Sequence, residues 1–262
     1  MDADVLILTL GFAALFAGFV DAVVGGGGLV QIPALFSAFP TQSPAVLLAT
    51  NKVSSIVGTA SAAVQYARRV RIPWAIALPG AVVALAASWL GAKAVVLLPP
   101  ELMRPFVLLL LVLVVAHTFI RKDLGTGKSQ QKHGRRELIV TMAIAASVGF
   151  YDGLFGPGTG SFLIFLFVRF LALDFIHAAA TAKIVNVATN LGAIAYFSTS
   201  VEVLWVLGAT MALCNLCGAI IGSRIALARG SGFVRLVFLG VVMALIVKMS
   251  YDMLVAGCAG FT

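Results

Sequence analysis

Apolar runs of about twenty residues follow one another along almost the whole chain, and each is long enough to cross a roughly 30 Å hydrocarbon layer. Composition agrees: 61% of the 262 residues are hydrophobic and 11% are charged, against about 25% charged in ordinary globular chains. No stretch is left over for a separate soluble domain. The net charge of +8 does not indicate nucleic-acid binding. The basic residues sit in short loops between apolar runs, which is the positive-inside pattern of membrane proteins. The opening Met1-Asp2-Ala3-Asp4 is acidic, where a signal peptide opens with basic residues, so the first run is expected to be a retained span. Cys214 and Cys217 form a CxxC beside Gly218 inside an apolar run, with no second pair. They are read as small packing residues of a membrane helix.

The runs repeat. Gly18-Phe19-Val20-Asp21 recurs as Gly149-Phe150-Tyr151-Asp152, 131 residues later. The same shift takes Gly25 to Gly156, Gly27 to Gly158, Thr50 to Thr181 and Lys52 to Lys183. It also takes Trp74 to Trp205, Gly91 to Gly222, Lys93 to Arg224 and Arg104 to Arg235, without a gap. The chain therefore reads as two copies of one unit: a first transmembrane repeat over 1–120, a basic linker over 121–136 and a second repeat over 137–262. Each copy divides into five apolar pieces, about 5–24, 29–39, 45–66, 73–98 and 102–120, then about 137–155, 160–173, 176–198, 203–222 and 233–256. The second piece of each copy is short for a span and follows glycines, which suits a half-helix or re-entrant segment.

Loop charge sets orientation. Arg68, Arg69 and Arg71 place one loop of the first copy in the cytoplasm, and the linker with Arg121, Lys122, Lys128, Lys132, Arg135 and Arg136 is cytoplasmic too. In the second copy the equivalent loop, 198–202, has no basic residue, while the next carries Arg224, Arg229 and Arg235. The copies are thus expected to be inverted, with five crossings each and both termini outside. The expected fold class is an all-α polytopic transmembrane bundle of two inverted repeats with Gly-broken helices. Such repeats are a hallmark of secondary transporters, whose site lies near the midplane where the repeats meet.

Ionisable residues inside a membrane cost several kcal/mol to bury and are functional candidates by default. Lys52 and Lys183 each lie about eight residues into the third piece of their copy, on the order of 12 Å from a membrane face. Two ammonium groups near one centre suit an anionic substrate. The competing reading makes them structural partners of Asp21 and Asp152. Those aspartates end the first piece of each copy, where a carboxylate can pair with a lysine, cap the next helix or carry a coupled proton. Gly25, Gly26, Gly27 and Gly28, and Gly156, Gly158, Thr159 and Gly160 around Pro157, are the break points. Each precedes a helix whose start offers unpaired N–H groups and a positive dipole end; tight helix crossings are the bland alternative. Pro157 stands where the first copy has Gly26, so the two breaks are expected to differ in shape. Thr50, Asn51, Thr181, Asn186 and Asn190 add polar groups to the lysine-bearing pieces, either to orient an oxyanion or to bridge helices. Lys248 and Asp252 are expected to pair locally. His117, His133 and His177 show no ligand spacing and no carboxylate companion. No nucleophile, metal set or cofactor motif is present, so no enzyme activity, cofactor or metal is expected.

The Gly-Phe-x-Asp-x-x-x-Gly-x-Gly blocks at 18–27 and 149–158, with Thr-x-Lys at 50–52 and 181–183, resemble the TauE/SafE sulfite exporter family of membrane permeases. The resemblance covers essentially the whole chain and implies a multi-pass protein of the bacterial inner membrane. It implies export of sulfite, sulfoacetate, other sulfonates or organic anions. The expected partners are that small anion, the bilayer, and a proton or other coupling ion, with a homo-oligomer left open and nucleic acid excluded. A passive anion channel and a non-transporting membrane subunit are the alternatives.

Overall fold

A computed structural model describes residues 3–97 and 134–259. Among the described residues the regular elements are all α-helices: α1 (Ala3–Val24), α2 (Gly28–Ala38), α3 (Pro44–Arg69), α4 (Trp74–Val96), α5 (Arg135–Leu154), α6 (Thr159–Leu171), α7 (Phe175–Ser200) and α8 (Trp205–Ala259). The apolar piece expected at 102–120 and nearly all of the 121–136 linker lie outside the described residues, as does the Lys248–Asp252 side-chain pairing.

Val5–Val24, Trp74–Val96, Arg135–Leu154 and Trp205–Val234 are long and apolar enough to cross a membrane. At 1.5 Å per residue, α3 and α7 are each about 39 Å long; both have 26 residues. They are long enough too, but they bury Asn51, Lys52 and Thr59 in α3, and Lys183, Asn186 and Asn190 in α7. The 11 residues of α2 and 13 of α6 give only about 17 and 20 Å. They are half-length helices, as their glycine-led starts suggest. One boundary differs from expectation. The piece read as ending near 222 stays helical to Gly230, where φ 72° and ψ −168° break it. Hydropathy falls at Arg224 and Arg229, but arginine is a good helix former, so the apolar signal ends before the helix does.

Close crossings give the helix directions. A Cβ on Gly11 would meet Cys214, one on Gly218 would meet Leu15, and one on Gly222 would meet Phe19. Positions rise together, so α1 and α8 run parallel. Gly208 faces Val53 and Gly58 faces Asn215, which gives α3 the direction of α8. By the same reasoning Gly80 against Thr141 and Gly153 against Ser88 make α4 and α5 parallel, and α7 joins them through Gly80 against Val185 and Gly192 against Leu85. The short connections 70–73 and 201–204 reverse the chain. Helices α1 and α3 and the part of α8 before Gly230 therefore run one way, and α4, α5 and α7 the other.

The core sorts by end. One large cluster gathers Ala62 and Tyr66 from the end of α3, Ile76 from the start of α4, Phe175 from the start of α7, Ala226, and Leu163 to Leu171 of α6. At the opposite end Ala45 and Leu48 start α3, Val95 ends α4, Phe197 ends α7, and Ile32 of α2 packs with them. The two half-length helices thus leave the centre toward opposite ends. The α6 end carries Arg68, Arg69, Arg71, Arg135, Arg136, Arg169, Arg224 and Arg229; among the described residues the α2 end carries Lys93 alone.

Candidate functional site

The site is built where α1 and α5 stop. Gly25 (φ 78°) and Gly156 (φ 91°) turn the chain through left-handed backbone that side-chain-bearing residues rarely adopt. The following turns differ: Gly158 is left-handed at φ 76°, whereas Gly27 is right-handed at φ −57°. The Gly26/Pro157 difference foreshadows this. The breaks lie against each other. Ser161 donates its N–H to Gly25 O at 3.2 Å and its hydroxyl to Val24 O at 2.8 Å. Gly25 and Gly160 touch main chain to main chain, with no room for a Cβ on either.

Both lysines are paired, and each reaches into the other copy. Lys52 Nζ lies 2.6 Å from Asp152 Oδ2, and Lys183 Nζ lies 2.9 Å from Asp21 Oδ2. Lys183 also donates to the main-chain oxygen of Asp21. Each aspartate accepts one threonine hydroxyl, Thr59 to Asp21 at 3.0 Å and Thr159 to Asp152 at 2.6 Å. All four charged groups are buried: Lys183 0%, Asp152 2%, Lys52 3% and Asp21 8% exposed. Buried charges persist when paired and hydrogen-bonded, and two of each sign leave the site neutral.

Beside these pairs lies a small cavity of ≈ 20 Å³, lined by Asp21, Gly25, Gly28, Asn51, Lys52, Ser55, Thr59, Asp152, Gly156, Thr159, Gly160, Asn186 and Asn190. That is room for about one water. Gly156 has to be glycine here, since a Cβ would stand 2.8 Å from Lys52 Nζ and 3.1 Å from Asp152 Oδ1. Asn51 lines the cavity, and its Oδ1 atom is buried without a hydrogen-bond partner.

Most of the residues singled out from the sequence meet at this cavity; Gly26, Gly27, Gly158, Thr50, Thr181 and Lys183 do not line it. A Cβ on Gly27 would run into Ala17 O at 2.7 Å, so that glycine serves the α1–α2 packing. Thr50 and Thr181 donate to carbonyls one turn back, Val46 O and His177 O, both at 2.8 Å. Thr50 also accepts the Leu204 N–H at 3.3 Å, bridging α3 to the start of α8. Lys183 sits behind Asp21. Ser55 and Thr59 were missed, although the sequence signals them: shifting Asn186 and Asn190 back by 131 residues lands on them.

One reading is corrected. His177 does have a carboxylate companion, Asp174, with Nδ1 and Oδ2 2.7 Å apart. Asp174 caps α7 by accepting the N–H groups of Ile176 and His177, both at 3.0 Å, and a histidine three residues past an N-cap is placed to reach that same carboxylate. Burial works against the Asp174 charge, but the hydrogen bonds and charge of His177 and the Ser231 hydroxyl outweigh it and hold the carboxyl below its usual range.

Comparison with known proteins agrees with this architecture. The chain is 34% identical over 249 residues to the probable membrane transporter protein ORF9 of Sinorhizobium sp, covering 94% of this chain and 93% of that one. It is 32% identical over 254 residues to the probable membrane transporter protein YfcA of Escherichia coli K12, covering 96% and 92%. A probable membrane transporter protein of Haemophilus influenzae is 31% identical over 257 residues, covering 96% and 98%. No solved structure matches the chain. The family described as sulfite exporter TauE/SafE matches residues 10–249, and with its apolar helices and broken half-helices this chain belongs to that family of bacterial multi-pass membrane transporters.

Proposed function

We propose that the protein is a secondary transporter that exports small sulfur-containing or organic anions, with sulfite, sulfoacetate and other sulfonates as the substrate class. The observation that carries this reading is the small polar cavity beside two buried Lys–Asp pairs, bordered by the first residues of both half-length helices. Gly28 begins α2, and Thr159 and Gly160 begin α6, so the positive dipole ends of both helices bear on the cavity, past glycine in α2 and beside the Thr159 hydroxyl in α6. The family name points to the same substrate class.

Lys52 is the anion's partner in this reading, because it lines the cavity and holds only the Asp152 carboxylate. An oxyanion displaces that carboxylate from the ammonium. With a singly charged anion the displaced aspartate then takes a proton, which keeps the buried charge at zero, so that one proton moves together with each anion. The antiparallel helix sets and the opposite exits of α2 and α6 support inverted repeats. The arginine-rich end supports a cytoplasmic face there, and rocking of one bundle against the other exposes the cavity alternately.

The test is reconstitution in proteoliposomes with a panel of sulfite, sulfonates, sulfate and carboxylates, with and without a pH gradient. The expected outcome is saturable sulfite or sulfonate movement that a proton gradient drives uphill. Downhill flux alone would support a passive channel. No flux and no anion binding by the purified protein would support a non-transporting subunit.

A further inference from the structure

The geometry points to a binding site for an anionic phospholipid in the groove between α3 and the first half of α8, at the arginine-rich end of the bundle. The groove has a volume of ≈ 820 Å³ and is lined by Arg68, Arg69 and Arg224, by Ser61 and Gln65, and by the apolar side chains of Val64, Ile220 and Leu227, with Ala60. It is separate from the central cavity, with which it shares no residue. Among the described residues none forms an ion pair with any of the three guanidinium groups. Three unpaired arginines next to one another repel, and they are stabilised by an anion with several acceptor oxygens. Arginine's planar fork fits a phosphate.

The equivalent position in the other copy shows what the groove leaves out. Under the 131-residue relation Ile220 corresponds to Trp89, Gln65 to Tyr196, Arg224 to Lys93, and Arg68 and Arg69 to Thr199 and Ser200. There the two rings pack edge to face with centroids 5.3 Å apart, and Lys93 lies 5.8 Å from the Trp89 ring. One copy fills the space with its own aromatic side chains and has one cation. The other leaves the space open and adds two cations.

The occupant follows from the shape of the lining. Val64 is half exposed on the bundle's outer surface, and Val64 of α3 and Ile220 of α8 give an apolar wall one turn before Arg68 and Arg224. A free phosphate would use the arginines and leave the wall bare. A phospholipid uses both, with an acyl chain along Val64 and Ile220 and the phosphodiester among the arginines. Basic pockets between membrane helices at the cytoplasmic side bind anionic headgroups by this combination. On the orientation proposed above the lipid belongs to the cytoplasmic leaflet, but the groove's occupancy does not depend on which anion the central cavity carries.

Native mass spectrometry and titration of the detergent-purified full chain test this, with phosphatidylglycerol against phosphatidylcholine, and glycerol phosphate as the chain-free probe. Preferential retention of phosphatidylglycerol is expected. Affinity should fall on the order of a hundredfold in the triple variant Arg68→Gln/Arg69→Gln/Arg224→Gln, at about 1 kcal/mol per basic group. The filling variant Gln65→Tyr/Ile220→Trp keeps all three arginines and should lose the lipid as well; it decides the matter if the triple variant does not fold. Equal retention of both lipids, or unchanged phosphatidylglycerol affinity in the filling variant, would overturn the assignment. Glycerol phosphate binding as tightly as the lipid would overturn it too, leaving a plain phosphate site.

Discussion

The two buried ion pairs come from equivalent residues of the two copies, yet they are not equivalent. Lys52–Asp152 borders the cavity, and its lysine has one partner, a carboxylate oxygen at 2.6 Å. In Lys183–Asp21 the aspartate borders the cavity but the lysine is set back: Lys183 is fully buried and is held by both a carboxylate and a main-chain oxygen. The supporting hydroxyls differ in origin. Thr59 lies on the long helix α3, whereas Thr159 opens the half-length helix α6. Their shifted counterparts are Asn190 and Gly28. On the transport reading proposed above, one pair is the anchor between the two halves and the other stands where an anion can reach it. Duplication supplies matched parts, and local side-chain differences divide the labour.

The largest effect should come from the anchor. Lys183→Ala leaves Asp21 buried and uncompensated, so thermal unfolding in detergent should show a loss of about 3–5 kcal/mol, largely restored by adding Asp21→Asn. A stable Lys183→Ala variant that has lost anion affinity would reverse the two roles. Lys52→Ala comes next. It should weaken anion binding by about 2–5 kcal/mol with a smaller loss of stability, because Lys52 holds a carboxylate alone whereas Lys183 also holds the main-chain oxygen of Asp21. Lys52→Arg should rescue poorly, since a planar fork does not fit where a compact ammonium sat. Unchanged affinity in Lys52→Ala would move this lysine too from the site to the scaffold.

The threonines sharpen the same contrast at lower cost. Thr59→Val and Thr159→Val each remove a hydrogen bond to a charged group, worth about 1.5–3 kcal/mol. Thr159→Val should lower anion affinity as well as stability, because it loosens the helix start beside Lys52; Thr59→Val should act on stability alone. Affinity loss in both would mean that the two pairs share the substrate.

The smallest expected effect lies at the start of the two lysine helices. Asp174 caps α7 with its side chain, whereas its counterpart Ser43 makes no side-chain cap bond. Asp174→Ala should cost about 1 kcal/mol and Ser43→Ala close to nothing. The folded carboxyl of Asp174 is held below its ordinary value. Its stabilisation is therefore fully present above the ordinary carboxylate range and is lost as pH falls through the lowered folded value. Acid unfolding curves should show that pH-dependent contribution in the parent chain and lack it in Asp174→Ala.

Membrane residence, the half-length helices and the two buried lysines are legible in the sequence. Hydropathy accumulates residue by residue, and a helix of 11 or 13 residues between glycine breaks and loops is short whatever it packs against. Ser55 and Thr59 were legible as well through the 131-residue shift, but a hydroxyl in a helix is as ready to bond its own backbone, as Thr50 and Thr181 do. Local spacing cannot say which choice a given threonine makes. Tertiary structure alone decided that each lysine crosses to the other copy's aspartate, and that Lys52 borders the cavity while Lys183 lies behind it. Those pairings join positions 100 and 162 residues apart in the chain. They depend on how two similar bundles dock, and docking is set by main-chain contact at Gly25 and Gly160, Gly18 and Asn215, Gly153 and Ser88. Glycine shows in a sequence that a neighbour can come close; which neighbour comes is a property of the folded whole.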